Sequence, residues 1–262
     1  MKKTLTTSLI SVHLKSVLKI AVFALALIVS TDVNANGQWA ELGGLNSLAA
    51  NSAIHSVISD ASGNIYASGR FTNSSGNFYV VKYNGSSWSE LGGNNSLAAN
   101  DWTYRLCTDP SGNIYTAGAF TNSNGNRYVA KWNGSTWSEL GGNNSSIANY
   151  FIEGLCSDPS GNIYAAGDFT NSSGNYFVAK YNGSTWSELG GINSLAANSY
   201  IRCICSDPSG NIYAAGNFTN INGKQYVAKW NGSSWTELGG SNALAANNWI
   251  YCLTSDAAGN IY

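Results

Sequence analysis

The sequence predicts an all-β protein, a β-propeller built from four-stranded antiparallel blades. Gly63-Asn64-Ile65-Tyr66 returns at Gly112, Gly161, Gly210 and Gly259, each time after 49 residues. Trp88, Trp137, Trp186 and Trp235 keep that step, as do Lys82, Lys131, Lys180 and Lys229 and the series Glu41, Glu90, Glu139, Glu188, Glu237. Each unit also carries four strand signals separated by turn signals, and a four-stranded repeat of roughly 40–50 residues marks a propeller blade. A small twisted sheet cannot bury both faces alone, whereas radially stacked sheets cover one another and leave few open edges. An open array of sheets or a β-solenoid is the alternative, but solenoid coils are usually much shorter than this repeat.

The third unit shows the elements in order. The first strand is expected at about 152–157, and Asp158-Pro159-Ser160-Gly161 suits the type I turn that ends it. The second strand is expected at about 162–170. Its small centre, Ala165-Ala166-Gly167, should let a neighbouring sheet approach. A polar loop, Asn171 to Asn175, precedes a third strand at about 176–181. Asn182-Gly183 is a strong hairpin signal, leading to a fourth strand at about 185–189. The same reading places blades at about 54–92, 103–141, 152–190 and 201–239, with a partial one at 250–262. Gln38 to Leu42 matches a lone fourth strand that would close the ring against the last blade. At least five blades are expected. The stop at Tyr262 inside a strand motif suggests a record truncated at its C-terminus.

Residues 1–35 read as a secretory signal: Lys2, Lys3, Lys15 and Lys19, then the apolar run Ile20 to Val29, then Val33-Asn34-Ala35. That run is too short to span a bilayer, so a secreted protein without a membrane span is expected, whether periplasmic, cell-surface or extracellular. Without residues 1–35 the formal net charge is −4 and no basic patch remains, which argues against a nucleic-acid partner.

Ile163-Tyr164-Ala165-Ala166-Gly167 followed by Tyr181 and Trp186 resembles the Kelch-type repeat, in which a glycine pair precedes a Tyr and a Trp. The pairs Tyr83/Trp88, Trp132/Trp137 and Trp230/Trp235 match as well, although Ser-Gly or Ala-Gly replaces the glycine pair. Asp-Pro-Ser-Gly-Asn-Ile-Tyr also resembles the turn of NHL-type bacterial propeller repeats. The resemblance covers nearly all of residues 37–262 and implies a fold rather than an activity, since propellers host many unrelated functions. Copper oxidases with Kelch-like propellers need a histidine set that this chain does not hold.

Catalysis by an activated nucleophile needs a base, usually His. Beyond residue 35 only His55 is available. No His/Cys/Asp/Glu spacing suits a metal, and the glycine-rich stretches precede no helix, so no phosphate loop is expected. The chain is therefore expected to be no enzyme, with no catalytic residue, metal site or cofactor. Asp60, Asp109, Asp158, Asp207 and Asp256 read as turn residues bonding their own backbone rather than as calcium ligands. Cys107, Cys156, Cys203, Cys205 and Cys252 fall at repeated positions on adjacent blades and read as small buried residues rather than disulfide partners.

Positions that differ between blades are the candidates for binding. At the start of the first strands stand His55, Tyr104, Glu153, Arg202 and Tyr251, followed by Ser56, Arg105, Gly154, Cys203 and Cys252. Before each Phe-Thr pair come Arg70, Ala119, Asp168 and Asn217, and the linkers offer Trp102, Tyr150, Tyr200 and Trp249. Neutral drift of exposed positions is the competing explanation. The candidate ligand-binding set is Trp102, Tyr104, Tyr150, Glu153, Tyr200, Arg202, Trp249 and Tyr251, on the face formed by loops entering the first strands. A glycan or a cell-surface protein is the expected partner. Aromatic faces stack on sugar C–H surfaces, and repeated blades suit multivalent binding. Five-bladed lectins are a fold-level analogy. A structural or adhesive region of a larger surface protein, or the propeller of an enzyme whose active site lies outside this sequence, are the alternatives.

Overall fold

The structure is a computed structural model that describes residues 40–45, 47–142 and 148–262. The signal expected at 1–35 and the closing-strand residues Gln38 and Trp39 lie outside the described residues, and Ala40 to Leu42 forms no strand.

Four antiparallel sheets of four strands each follow one another along the chain. The first holds β1 (Ile54–Ser59), β2 (Ile65–Gly69), β3 (Val81–Tyr83) and β4 (Trp88–Glu90). The second holds β5 (Thr103–Thr108), β6 (Ile114–Gly118), β7 (Ala130–Trp132) and β8 (Trp137–Glu139). The third holds β9 (Ile152–Ser157), β10 (Ile163–Gly167), β11 (Ala179–Tyr181) and β12 (Trp186–Glu188). The fourth holds β13 (Ile201–Ser206), β14 (Ile212–Gly216), β15 (Ala228–Trp230) and β16 (Trp235–Glu237). Residues 251–262 add a half-blade with one isolated bridge, Ser255 to Ile261. Within each sheet the strands pair in chain order, and the inner strands β1, β5, β9 and β13 contact one another in succession. This is the propeller arrangement.

The strands after the first are shorter than the sequence suggests. In the third blade Tyr176 bridges the following linker at Ala197 as well as Thr170, so the run before β11 splits its pairing and leaves the ladder. The hairpin turn also differs. Its central pair is Gly183-Ser184, with Gly183 at φ 99° in the place a type II′ turn reserves for glycine. Asn182 stands before that pair, where its Oδ1 accepts from the backbone N–H of Ser184 and Thr185 at 3.0 Å each.

Several of the repeated residues have a mechanical role. The Phe71, Phe120, Phe169 and Phe218 side chains are fully buried between sheets. The indole Nε1 of Trp137 donates to the Leu91 carbonyl of the preceding blade at 3.1 Å, and Trp186 does the same to Leu140 at 3.3 Å. On the inner strands, Ser206 Oγ donates to the Ser157 carbonyl at 2.6 Å, and Ser157 Oγ to that of Thr108 at 2.7 Å. In the turns, Asp158 Oδ1 accepts from the N–H of Ser160 and Asn162 at 2.9 Å each, while Oδ2 accepts from Asn162 Nδ2 at 2.7 Å and from the Tyr164 hydroxyl at 2.9 Å. The repeated aspartate therefore ties its turn to the second strand as well as to its own backbone. The alanines of β10 do face the neighbouring sheet, with Ala166 packed among Ile204 and Ile212.

Gly167 has a different role from the one its small size suggests. A Cβ there would lie 2.1 Å from the Phe151 carbonyl oxygen, on the adjacent strand of its own blade. That close approach accompanies an irregular register: Ile152 pairs with Gly167 and Gly154 with Ala166, so Glu153 is the extra residue of a β-bulge. The other blades repeat the arrangement, with His55, Tyr104 and Arg202 as the extra residues.

The thiols of Cys107, Cys156 and Cys203 are buried and that of Cys205 half-buried, but Cys252 is exposed because it lies on the half-blade. Burial above all pushes the Cys203 and Cys205 thiols up to about 12.

Candidate functional site

A β-bulge turns its extra side chain out of the pleat alternation and so re-aims it. Here the bulges bring their extra residues to one place. A cavity of about 280 Å³ beside the starts of the inner strands, where the central channel of a propeller opens, is lined by His55, Tyr104, Glu153, Arg202 and Tyr251, together with Arg70 and Arg105. None of these positions is kept through the repeat, although Tyr104 and Tyr251 are equivalent.

The pocket has two electrostatic halves. On one side Arg202 Nη1 meets Glu153 Oε2 at 3.0 Å, and Arg202 Nε donates to Asn217 Oδ1 at 2.7 Å. Asp168 lies behind this half, within electrostatic range of Glu153 and Arg202, without lining the cavity. Burial pushes its carboxyl up to about 6; the Glu153 carboxylate adds to the rise and the Arg202 guanidinium opposes it. Its Oδ1 is buried without a hydrogen-bond partner. On the other side the Arg70 guanidinium lies 3.8 Å from the centre of the Trp102 ring, and Arg105 Nε donates to the Glu153 carbonyl at 2.7 Å. Burial, then Arg70, then Arg105 lower the pKa of His55. Tyr104, between the halves, has its hydroxyl pushed up to about 12, chiefly by burial. Its ring packs 5.5 Å from His55 and 6.0 Å from Trp102.

Of the sequence-predicted residues, Tyr104, Glu153, Arg202 and Tyr251 line this pocket. Trp102 supports it from beneath Arg70, and Trp249 lies 5.1 Å from the Arg202 guanidinium. Tyr200 packs edge-on against Tyr176 at 5.2 Å. Tyr150 is out of phase with the other linker aromatics. The residue 49 positions after Trp102 is Phe151, and Tyr150 stacks outside it at 4.3 Å, beside Arg127 at 4.9 Å. Sequence reasoning left His55, Arg70, Arg105 and Asp168 out of the candidate set, although their blade-to-blade variation is the signal that marks them. Among the described residues no group of three or more His, Cys, Asp or Glu side chains is placed to hold a metal ion, and both oxygens of each repeated turn aspartate are engaged within the turn.

The sequence matches no protein-family model and no curated protein. Solved structures similar to it are propellers. One is PorZ, a bacterial surface component of the type-IX secretion system of Porphyromonas gingivalis, at TM-score 0.53 and 14% identity over 78% of this chain and 30% of that one. Another is a gluconolactonase from Xanthomonas campestris, at TM-score 0.51 and 12% identity over 78% of this chain and 65% of that one. The chain thus spans less than two thirds of the length of either. The second likeness overturns the expectation that the chain is no enzyme. An enzyme shares its architecture, so neither the fold nor the shortage of histidines excludes catalysis.

Proposed function

We propose that the chain is an exported recognition propeller that binds a small polyhydroxylated ligand, such as a glycan end group, in the channel-mouth pocket. The observation that carries this reading is the convergence of the blade-variable residues. The blades differ at the bulge positions, and those side chains line one cavity. Tyr104 and Tyr251 offer aromatic faces for sugar C–H surfaces, while Glu153 offers acceptors for hydroxyls. Residues 1–35 are read as the export signal, and a bacterial surface component with the same architecture supports a role outside the cell. Among the described residues no helix is long and apolar enough to cross a membrane. The ring contact of Tyr181 with Trp186, 5.3 Å between centroids, supports the Kelch-type reading of the repeat.

A glycan-array screen of the full chain tests this. Binding that is lost in Tyr104→Ala and Tyr251→Ala, with the fold intact, supports the pocket. A folded protein that binds no glycan removes the sugar reading.

Asp168 favours a second reading in which the same pocket turns over its ligand. A carboxyl that titrates near pH 6 exchanges protons readily around neutrality. Sugar lactones are the first substrates to try, given the gluconolactonase likeness. Hydrolysis that is lost in Asp168→Asn, with binding retained, supports this reading; no turnover of any lactone opposes it.

A further inference from the structure

We infer that the ligand of this pocket is anionic, a sugar acid whose carboxylate docks at Arg70 and Arg105 while its hydroxyls face Glu153. The inference rests on the reading of the channel mouth as a ligand site and adds the charge of what enters it.

The repeated cation of this protein is lysine, at Lys82, Lys131, Lys180 and Lys229, out on the third strands. Arginine occurs at Arg70, Arg105, Arg127 and Arg202, all at positions the repeat does not keep, and three of these line one cavity. The blade does not require arginine at those sites. Its counterparts are Ala119, Asp168 and Asn217 for Arg70, and Ser56, Gly154 and Cys203 for Arg105. Clustering like charges in a partly desolvated cleft opposes folding, so a cluster that the architecture does not need points to a partner of opposite charge.

The three guanidiniums differ in what already holds them. Arg202 is paired with Glu153 and bonded to Asn217. Arg105 is oriented through Nε by a backbone carbonyl, a neutral partner that leaves its charge uncompensated. Arg70 lies over the Trp102 ring at 3.8 Å from its centre, a contact that restrains the guanidinium without neutralising its charge. Among the described residues the only ion pair is that of Arg202 with Glu153. Arg70 and Arg105 line the same cavity as His55, so the two cations face a common space. A planar carboxylate matches two pre-oriented guanidinium forks. The volume, about 280 Å³, suits a single sugar ring rather than a chain.

His55 reports on the site, since it is the only histidine beyond residue 35. The experiment titrates the full chain with glucuronate and, as the neutral control, with glucose. Affinity is followed by calorimetry and the His55 ring proton by NMR. Glucuronate is expected to bind about tenfold or more tightly than glucose, to weaken as salt rises, and to raise the His55 titration midpoint. Arg70→Gln with Arg105→Gln removes that preference, while Arg70→Lys with Arg105→Lys keeps part of it and guards against a folding defect. Glucose binding as tightly as glucuronate overturns the charge inference and leaves the pocket reading standing. An unmoved His55 midpoint with no glucuronate binding overturns it as well, and the glycan array then decides the pocket reading separately.

Discussion

Arg202 and Glu153 occupy the same position in successive blades, 49 residues apart, and their side chains meet at 3.0 Å across the channel mouth. Each is the extra residue of its own bulge, so the contact exists only because both strands break register at the same height. The pair is about one-fifth exposed. Glu153→Gln should therefore cost only about 1 kcal/mol or less, the range of partly solvated ion pairs. Its clearer effect falls on Asp168. The Glu153 charge helps hold that carboxyl up and Arg202 pulls it down, so the variant should titrate Asp168 below 6. Carbon NMR of the Asp168 carboxyl measures this directly.

Asp168 also sets a pH dependence. Its folded pKa, about 6, exceeds the ordinary 3.8, so the folded chain binds this proton more tightly than the unfolded one does. The proton's contribution to stability is full below the unfolded value and is lost as pH rises through the folded one. Asp168→Asn cannot lose a proton and should be more stable than the parent at pH 7.5, with the advantage gone by pH 4. The residue is only partly buried, so after solvent screening the gain is about 1 kcal/mol. Thermal melts of both proteins at the two pH values give the difference.

The fold was legible because the 49-residue step fixes the blade, and residues kept in every blade have a mechanical use in it. Trp137 reaching the Leu91 carbonyl and Ser206 reaching that of Ser157 are such uses. The bulge was not legible, because an antiparallel register is set by which backbone atoms meet across the ladder, and the Ala-Gly that permits it reads equally as a place for another sheet to approach. Glu153, Arg202 and Asp168 all stand out in the sequence as blade-variable residues, but nothing there shows that Asp168, just after β10, comes within electrostatic range of the other two. Its raised carboxyl arises from burial and two neighbours, one of them a blade away. Tyr150 differs from the other linker aromatics in phase, since the 49-residue step from Trp102 falls on Phe151.

Gly167 and Gly183 separate two reasons for a glycine. At Gly167 an added Cβ meets the Phe151 carbonyl oxygen at 2.1 Å, and neither backbone can move without breaking the bulge. Gly167→Ala should cost about 3 kcal/mol or more. At Gly183 nothing lies within 4 Å of the added atom, and only the φ of 99° opposes it. Gly183→Ala should cost about 1 kcal/mol. Urea midpoints of the two variants test the ordering. If Gly167→Ala proves the milder change, the bulge is not fixed as described, and the route by which Glu153 reaches the pocket fails with it.

The turn aspartates should set the acid limit of the protein. At Asp207 burial alone would raise the carboxyl, but the bonds from Asn211, Tyr213 and the backbone of Asn211 and Ser209 outweigh it and hold the pKa below 3.8. Asp60 and Asp109 shift the same way for the same causes. A depressed folded pKa contributes stability that is present above the unfolded value and lost as pH falls through the folded one. Unfolding by acid should therefore set in below about pH 4 and deepen as these carboxyls take up protons together. Asp207→Ala removes the acceptor for four hydrogen bonds, at 2.7 to 2.9 Å, and leaves the buried Tyr213 hydroxyl without its partner. It should cost about 2–3 kcal/mol at neutral pH. Asp207→Asn keeps the two backbone bonds through its amide oxygen and should recover about half of that loss while abolishing this residue's share of the acid transition. Denaturant titrations of the parent and both variants at pH 7 and pH 3 check the ordering. Equal acid sensitivity in parent and Asp207→Asn would place the acid-labile groups elsewhere than in this turn.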